Sequence, residues 1–173
     1  ASGRLALPGP HPNHAAHAQA SAFDLVAHRE LRRVFVINGL IAMAWELHTL
    51  FVPIYGNAIG LSASGIGLIL AAFAAATFTV RLAMPAIAGR ISEHRVLTGA
   101  LYVGALVYLA LPFSRSVAML MALSFCLGLG LGAGQPMVMS LLHSHAPPGR
   151  MGEAAGVRMS LINAMAVAVP LVF

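Results

Sequence analysis

Residues 81–97 read RLAMPAIAGRISEHRVL, a charged interval between two long runs of almost nothing but Ala, Leu, Val, Ile, Phe and Gly. Ionised groups at bilayer depth cost several kcal/mol each, so Arg90, Glu93, His94 and Arg95 belong in water while their flanks belong in lipid. The interval is a loop at a membrane face. Composition closes off the soluble alternative. The chain has 173 residues, 59% hydrophobic and only 9% charged, with a mean hydropathy of +0.84, whereas soluble domains carry roughly 25% charged residues.

Around that loop the apolar runs have the length of membrane helices, about 20 residues each. They predict an all-α membrane protein, a multi-pass helical bundle with spans near 34–54, 65–88, 96–113, 117–142 and 153–173. Residues 1–33 form a separate loop domain. Its first twenty residues hold no sustained period. His11, His14 and His17 recur every third residue, but without carboxylates, Cys or a rigid scaffold they read as a mobile loop, and no metal or cofactor is expected. Ser21 and Asp24 have capping-box spacing, which predicts a short interfacial helix over 21–33, ending in Arg29, Arg32 and Arg33. Cys126, inside an apolar run, reads as a buried, inert thiol. The chain opens on a polar segment and stops at Phe173 within an apolar run, so a fragment is expected.

All ten basic residues counted with Lys and Arg are Arg. With alternating spans, Arg29, Arg32, Arg33, Arg90, Arg95 and Arg150 fall on one side, Arg81 and Arg158 lie a turn or two inside that face, and Arg115 falls on the other. The excess marks the cytoplasmic side, so the N-terminal segment is expected inside an inner (cell) membrane and the net charge of +5 is not a nucleic-acid signal.

The first span is the most polar. Glu46 is the single acid deep in a span, where lost hydration makes it a candidate proton or cation group; the alternative is a carboxylate paired with an Arg elsewhere. Trp45 with Asn38 and Thr49 forms a stripe that lines a cavity or packs a helix. His48 points to another face and reads as packing near the outward end. Gln135 and Asn163 are further cavity candidates. Arg81 and Arg158, with Glu153, read as a gate or latch. In LGLGLGAGQP, Gly128 with Gly132 and Gly130 with Gly134 make two small-xxx-small pairs for close helix crossing. A membrane enzyme would need a nucleophile and base on facing helices. Ser124 and Ser140 lack a G-x-S-x-G setting, and His143 and His145 are an i, i+2 pair near a loop. A structural membrane subunit is the other rival.

These stretches resemble the second half of the major facilitator superfamily. The hinge is similar to the family's loop motif G-x-x-x-D-R-x-G-R-R: Pro85 stands at the first Gly, Gly89 at the Asp and Arg90 at the motif Arg. Ser92 replaces the second Gly, and the basic tail is reduced to His94 and Arg95. The acid of that motif is absent. IYGNAIGLSASGIGLILAAF is similar to a family loop and helix re-entry. APPGRMGEAAGVRMSLINA, with Arg150, Gly152 and Gly156, is similar to the loop before the eleventh helix.

The resemblance implies helices seven to eleven of twelve, residues 1–33 as the end of the central cytoplasmic loop, and a missing first half as partner. It also implies alternating access around a small-molecule substrate in a lipid bilayer. The expected function is secondary active transport of a small organic solute, proton-coupled and efflux-like because the prospective cavity is apolar with one acid. Sugar or metabolite uptake is the alternative within the same fold.

Overall fold

A computed structural model describes residues 22–87 and 91–172. Residues 1–21, with His11, His14, His17 and Ser21, and the hinge residues Gly89 and Arg90 lie outside the described residues. Every regular element described is helical: α1 (Ala22–Ala27), α2 (Arg29–Ala58), α3 (Ala63–Ile87), α4 (Glu93–Ala110), α5 (Val117–His145) and α6 (Met151–Val172). A single 3₁₀ turn, Leu111–Phe113, follows α4. The five long helices are each apolar and long enough to cross a membrane.

Two helices, α2 and α5, overrun the apolar spans read from sequence, while α4 is shifted three residues toward the N-terminus of its span and leaves 111–113 to the 3₁₀ turn. The longest, α2, has 30 residues, or about 45 Å at 1.5 Å per residue, against a hydrocarbon core of about 30 Å. Hydropathy marks only the lipid-buried part of a helix, and backbone hydrogen bonding carries it further into the aqueous margin. For this reason Arg29, Arg32 and Arg33 belong to the first turns of α2, and the short helix expected over 21–33 is only the six residues of α1. The chain bends at His28, and Leu25 of α1 is buried against the bundle.

The ends are set by local chemistry. Ser62 Oγ accepts from Gly65 N at 3.1 Å and Ser116 Oγ accepts from Met119 N at 3.2 Å, opening α3 and α5. Gly60, at φ 78°, supplies the left-handed residue that turns the chain between α2 and α3. Pro53, Pro85, Pro136 and Pro170 all sit inside helices. Such prolines are tolerated in membranes where neighbours re-satisfy the freed carbonyls.

The long helix α5 is the centre of the bundle, packing most extensively on α3 and α4 and also on α2. Its glycines explain how. A Cβ on Gly128 would lie 2.5 Å from Phe73 O, and one on Gly132 would lie 2.9 Å from Thr77 Cα, so both face α3 at backbone contact. The other two part company: Gly130 faces Ala100 of α4, and Gly134 faces Ile41 of α2. The run thus serves three neighbours rather than two parallel seams. Cys126 lies on an outward face of α5 and is exposed, not buried; an apolar run in lipid gives no clue to which of its faces looks inward. The turns 59–62 and 111–116 share one end of the bundle, and residues 91–92 and the segment 146–150 the other.

Candidate functional site

The polar residues of α2 are not equally buried. Asn38 is 1% exposed, faces the bundle interior, and leaves Nδ2 without a partner among the described residues. Trp45 is half-buried, with its ring edge-on to Phe73 of α3 at 4.8 Å. Thr49 is exposed and gives its hydroxyl to its own helix, at Trp45 O, 3.0 Å away. At 100° per residue the three positions lie within about 40° of one another around α2, so what divides them is the packing along its length and not their facing.

Glu46 is half-buried, one position beyond Trp45 and so about 100° around the helix from it. It makes no hydrogen bond or ion pair among the described residues. His48, by contrast, is 0% exposed. Its Nε2 shares a 3.0 Å hydrogen bond with Ser124 Oγ of α5, and its ring stacks on Phe73 at 4.3 Å. Instead of packing at an outer end, His48 ties α2 to α5 in the bundle interior. Tyr108 of α4 adds a second tie, donating to Ala44 O of α2.

The second polar locus is a cleft of about 440 Å³ among α3, α5 and α6, lined by Arg81, Met84, Gln135, Pro136, Met139 and Arg158. Arg158 Nη2 donates to Gln135 Oε1. Its Nε is sealed from solvent with no partner among the described residues. Arg81 is exposed into the cleft and forms no ion pair among those residues. Pro136 has no N–H to return to the carbonyl four residues back, that of Gly132, which loosens α5 beside the cleft.

Glu153 does not join Arg158. It takes Arg150 instead, at 2.6 Å from Nη2 and 3.0 Å from Nε, because Arg150 precedes it by three residues across the helix start. That hydrogen bond, with Asp24 of α1 adding attraction, holds the Arg150 guanidinium above its usual pKa. At the same end, Glu30 and Arg33 make an exposed 3.1 Å pair, of little energetic weight. Arg95 is exposed in the first turn of α4, Gly152 is open to solvent in the first turn of α6, and Asn163 is exposed midway along α6. Pro85 is exposed inside α3, within the span expected over 65–88.

Two linked positions escaped the sequence reading. Ser124 lacks a nucleophile setting, yet its spacing from Leu120 and Gly128 places it on the packed face of α5, where a hydroxyl needs a partner. Ser140, which donates to Glu93 Oε1 at 3.0 Å, likewise joins α5 to the start of α4. Both partners lie tens of residues away, beyond any local pattern.

A family model described as the Major Facilitator Superfamily matches residues 3–170. No curated protein and no solved structure matches the chain.

Proposed function

The chain belongs to the major facilitator superfamily, a family of membrane transporters rather than enzymes, and from that premise we propose proton-coupled transport of a small organic solute, with export as its direction. The observation that carries the coupling is Glu46. It is a carboxyl group near the middle of a membrane helix, half-buried and without a hydrogen-bonding or ionic partner among the described residues. A carboxyl in that setting takes up and gives back a proton at little structural cost, because no bond has to break first.

In this reading the solute path passes Glu46 of α2 and reaches the cleft between α3, α5 and α6. A complementary half of the same fold closes it from the other side, and the path opens alternately to the two faces. The Arg150–Glu153 pair and Arg95 stand at the rim as latch residues. Arg29, Arg32, Arg33, Arg95 and Arg150 share one end of the bundle and Arg115 the other, which supports an inner membrane with that Arg-rich end, and the N-terminal segment, in the cytoplasm.

The test is solute movement in proteoliposomes with and without an imposed proton gradient. Glu46→Gln keeps shape and polarity but cannot carry a proton, so gradient-driven transport should fall at least tenfold while exchange at equal pH continues. Gradient dependence as strong in Glu46→Gln as in the parent protein would remove the assignment.

A further inference from the structure

The cleft among α3, α5 and α6 holds two guanidinium groups and, among the described residues, no carboxylate. Arg81 lies six residues before the end of α3 and Arg158 seven residues into α6, so both are about 10 Å inside the helix ends. Cations at that depth are costly unless something neutralises them. The nearby acid, Glu153, is engaged by Arg150. Gln135 accepts one bond from Arg158, which orients the guanidinium without neutralising it. Arg158 Nε has no partner among the described residues, and Arg81 has no ion pair there. Around the charges stand Met84, Pro136 and Met139, an apolar wall.

We infer that this cleft binds an oxyanion, a carboxylate or phosphate carried by the transported solute, held between Arg81 and Arg158 with its hydrocarbon part against the methionines. The inference rests on the transport reading above and narrows it to solutes with an anionic group. Two guanidinium groups offer planar, paired donors that match the two oxygens of such a group. A recess of about 510 Å³ that shares Pro136 and Met139 with the cleft and reaches Ser140, His143 and Ser144 continues the space toward the Arg-rich end, giving the remainder of the solute somewhere to lie. The same chemistry could instead be met by an acidic side chain from elsewhere in the fold, and the experiment separates the two.

The protein in lipid nanodiscs is unfolded thermally with sodium succinate, sodium phosphate or uncharged succinamide, at ionic strength fixed with sodium chloride. Succinate or phosphate should raise Tm in a saturable way, and succinamide should not. Arg81→Gln and Arg158→Gln should each need at least tenfold more anion for the same rise, since each removes a charge-assisted pair of bonds. If Arg158→Gln does not fold, Arg158→Lys retains charge without the fork and should weaken the response severalfold. An anion response unchanged in these variants overturns the inference. So does a parent protein blind to both anions, the outcome expected if an acidic side chain already fills the cleft. The readout uses no transport, so a missing anion response with intact proton-driven transport counts against the cleft alone.

Discussion

Replacing Gly128 with Ala puts the central contact of the bundle under a measurable load. The added Cβ would lie 2.5 Å from Phe73 O and 2.9 Å from Ala76 Cβ, about 1 Å inside the ~3.5 Å at which such atoms rest. The nearest obstacle is main chain, which has no rotamer to change, so α5 and α3 must separate. Separation also stretches the hydrogen bond from Thr77 Oγ1 to Gly128 O, already 3.4 Å long. Overpacking costs about 1–3 kcal/mol and the strained bond about 0.6, while the better helix propensity of Ala returns about 1, leaving roughly 0.6–2.6 kcal/mol of net destabilisation. Gly156→Ala is the control, because nothing lies within 4 Å of a Cβ there and only the propensity gain remains. Trp45 is the one tryptophan, and its ring meets Phe73, the residue that Gly128 touches. Its fluorescence during unfolding in mixed detergent micelles therefore reads this contact directly. If Gly128→Ala proves as stable as Gly156→Ala, the backbone contact between α5 and α3 is not what holds the bundle.

Ser124→Ala should destabilise by about 0.5–2 kcal/mol, because His48, with Nδ1 already unpartnered among the described residues, would lose its one bond in the interior. Equilibrium unfolding against the parent checks it, and an unchanged midpoint would mean that His48 finds another partner. Tyr55→Phe removes the hydroxyl that donates to Pro112 O at 2.9 Å and Ser114 O at 3.1 Å. A loss of about 0.5–1.5 kcal/mol is expected, with faster amide exchange confined to the 111–116 turn; exchange there as slow as in the parent would contradict the tie.

The number and order of the membrane helices could be read from sequence because lipid imposes a coarse rule: charge goes to the ends and about twenty apolar residues lie between. The Arg-rich interval near Arg95 and the Gly-rich run in α5 both follow from it. Facing is a different matter. In a soluble helix the polar stripe marks the outside, but in α4 or α5 every face is apolar, so nothing local told Cys126 from Leu127, one exposed and one buried. On α2 the polar residues Asn38, Trp45 and Thr49 share a side yet differ in burial, and His48, two residues beyond Glu46, is a buried link, because the partners that cover them come from α3 and α5. Arg81, Gln135 and Arg158 each stood out as polar residues in apolar surroundings. Their meeting in one cleft depends on how three helices cross, which no spacing along the chain encodes.

Tyr55 has a mechanical consequence. Its phenol grips two carbonyls of the turn joining α4 to α5, and thus rivets three rods together at one tip. Rods pinned at a tip act as levers, and a tilt of about 10° about that rivet would swing the far end of a ~45 Å helix through roughly 8 Å. The arginine-bearing ends are where such leverage would be spent.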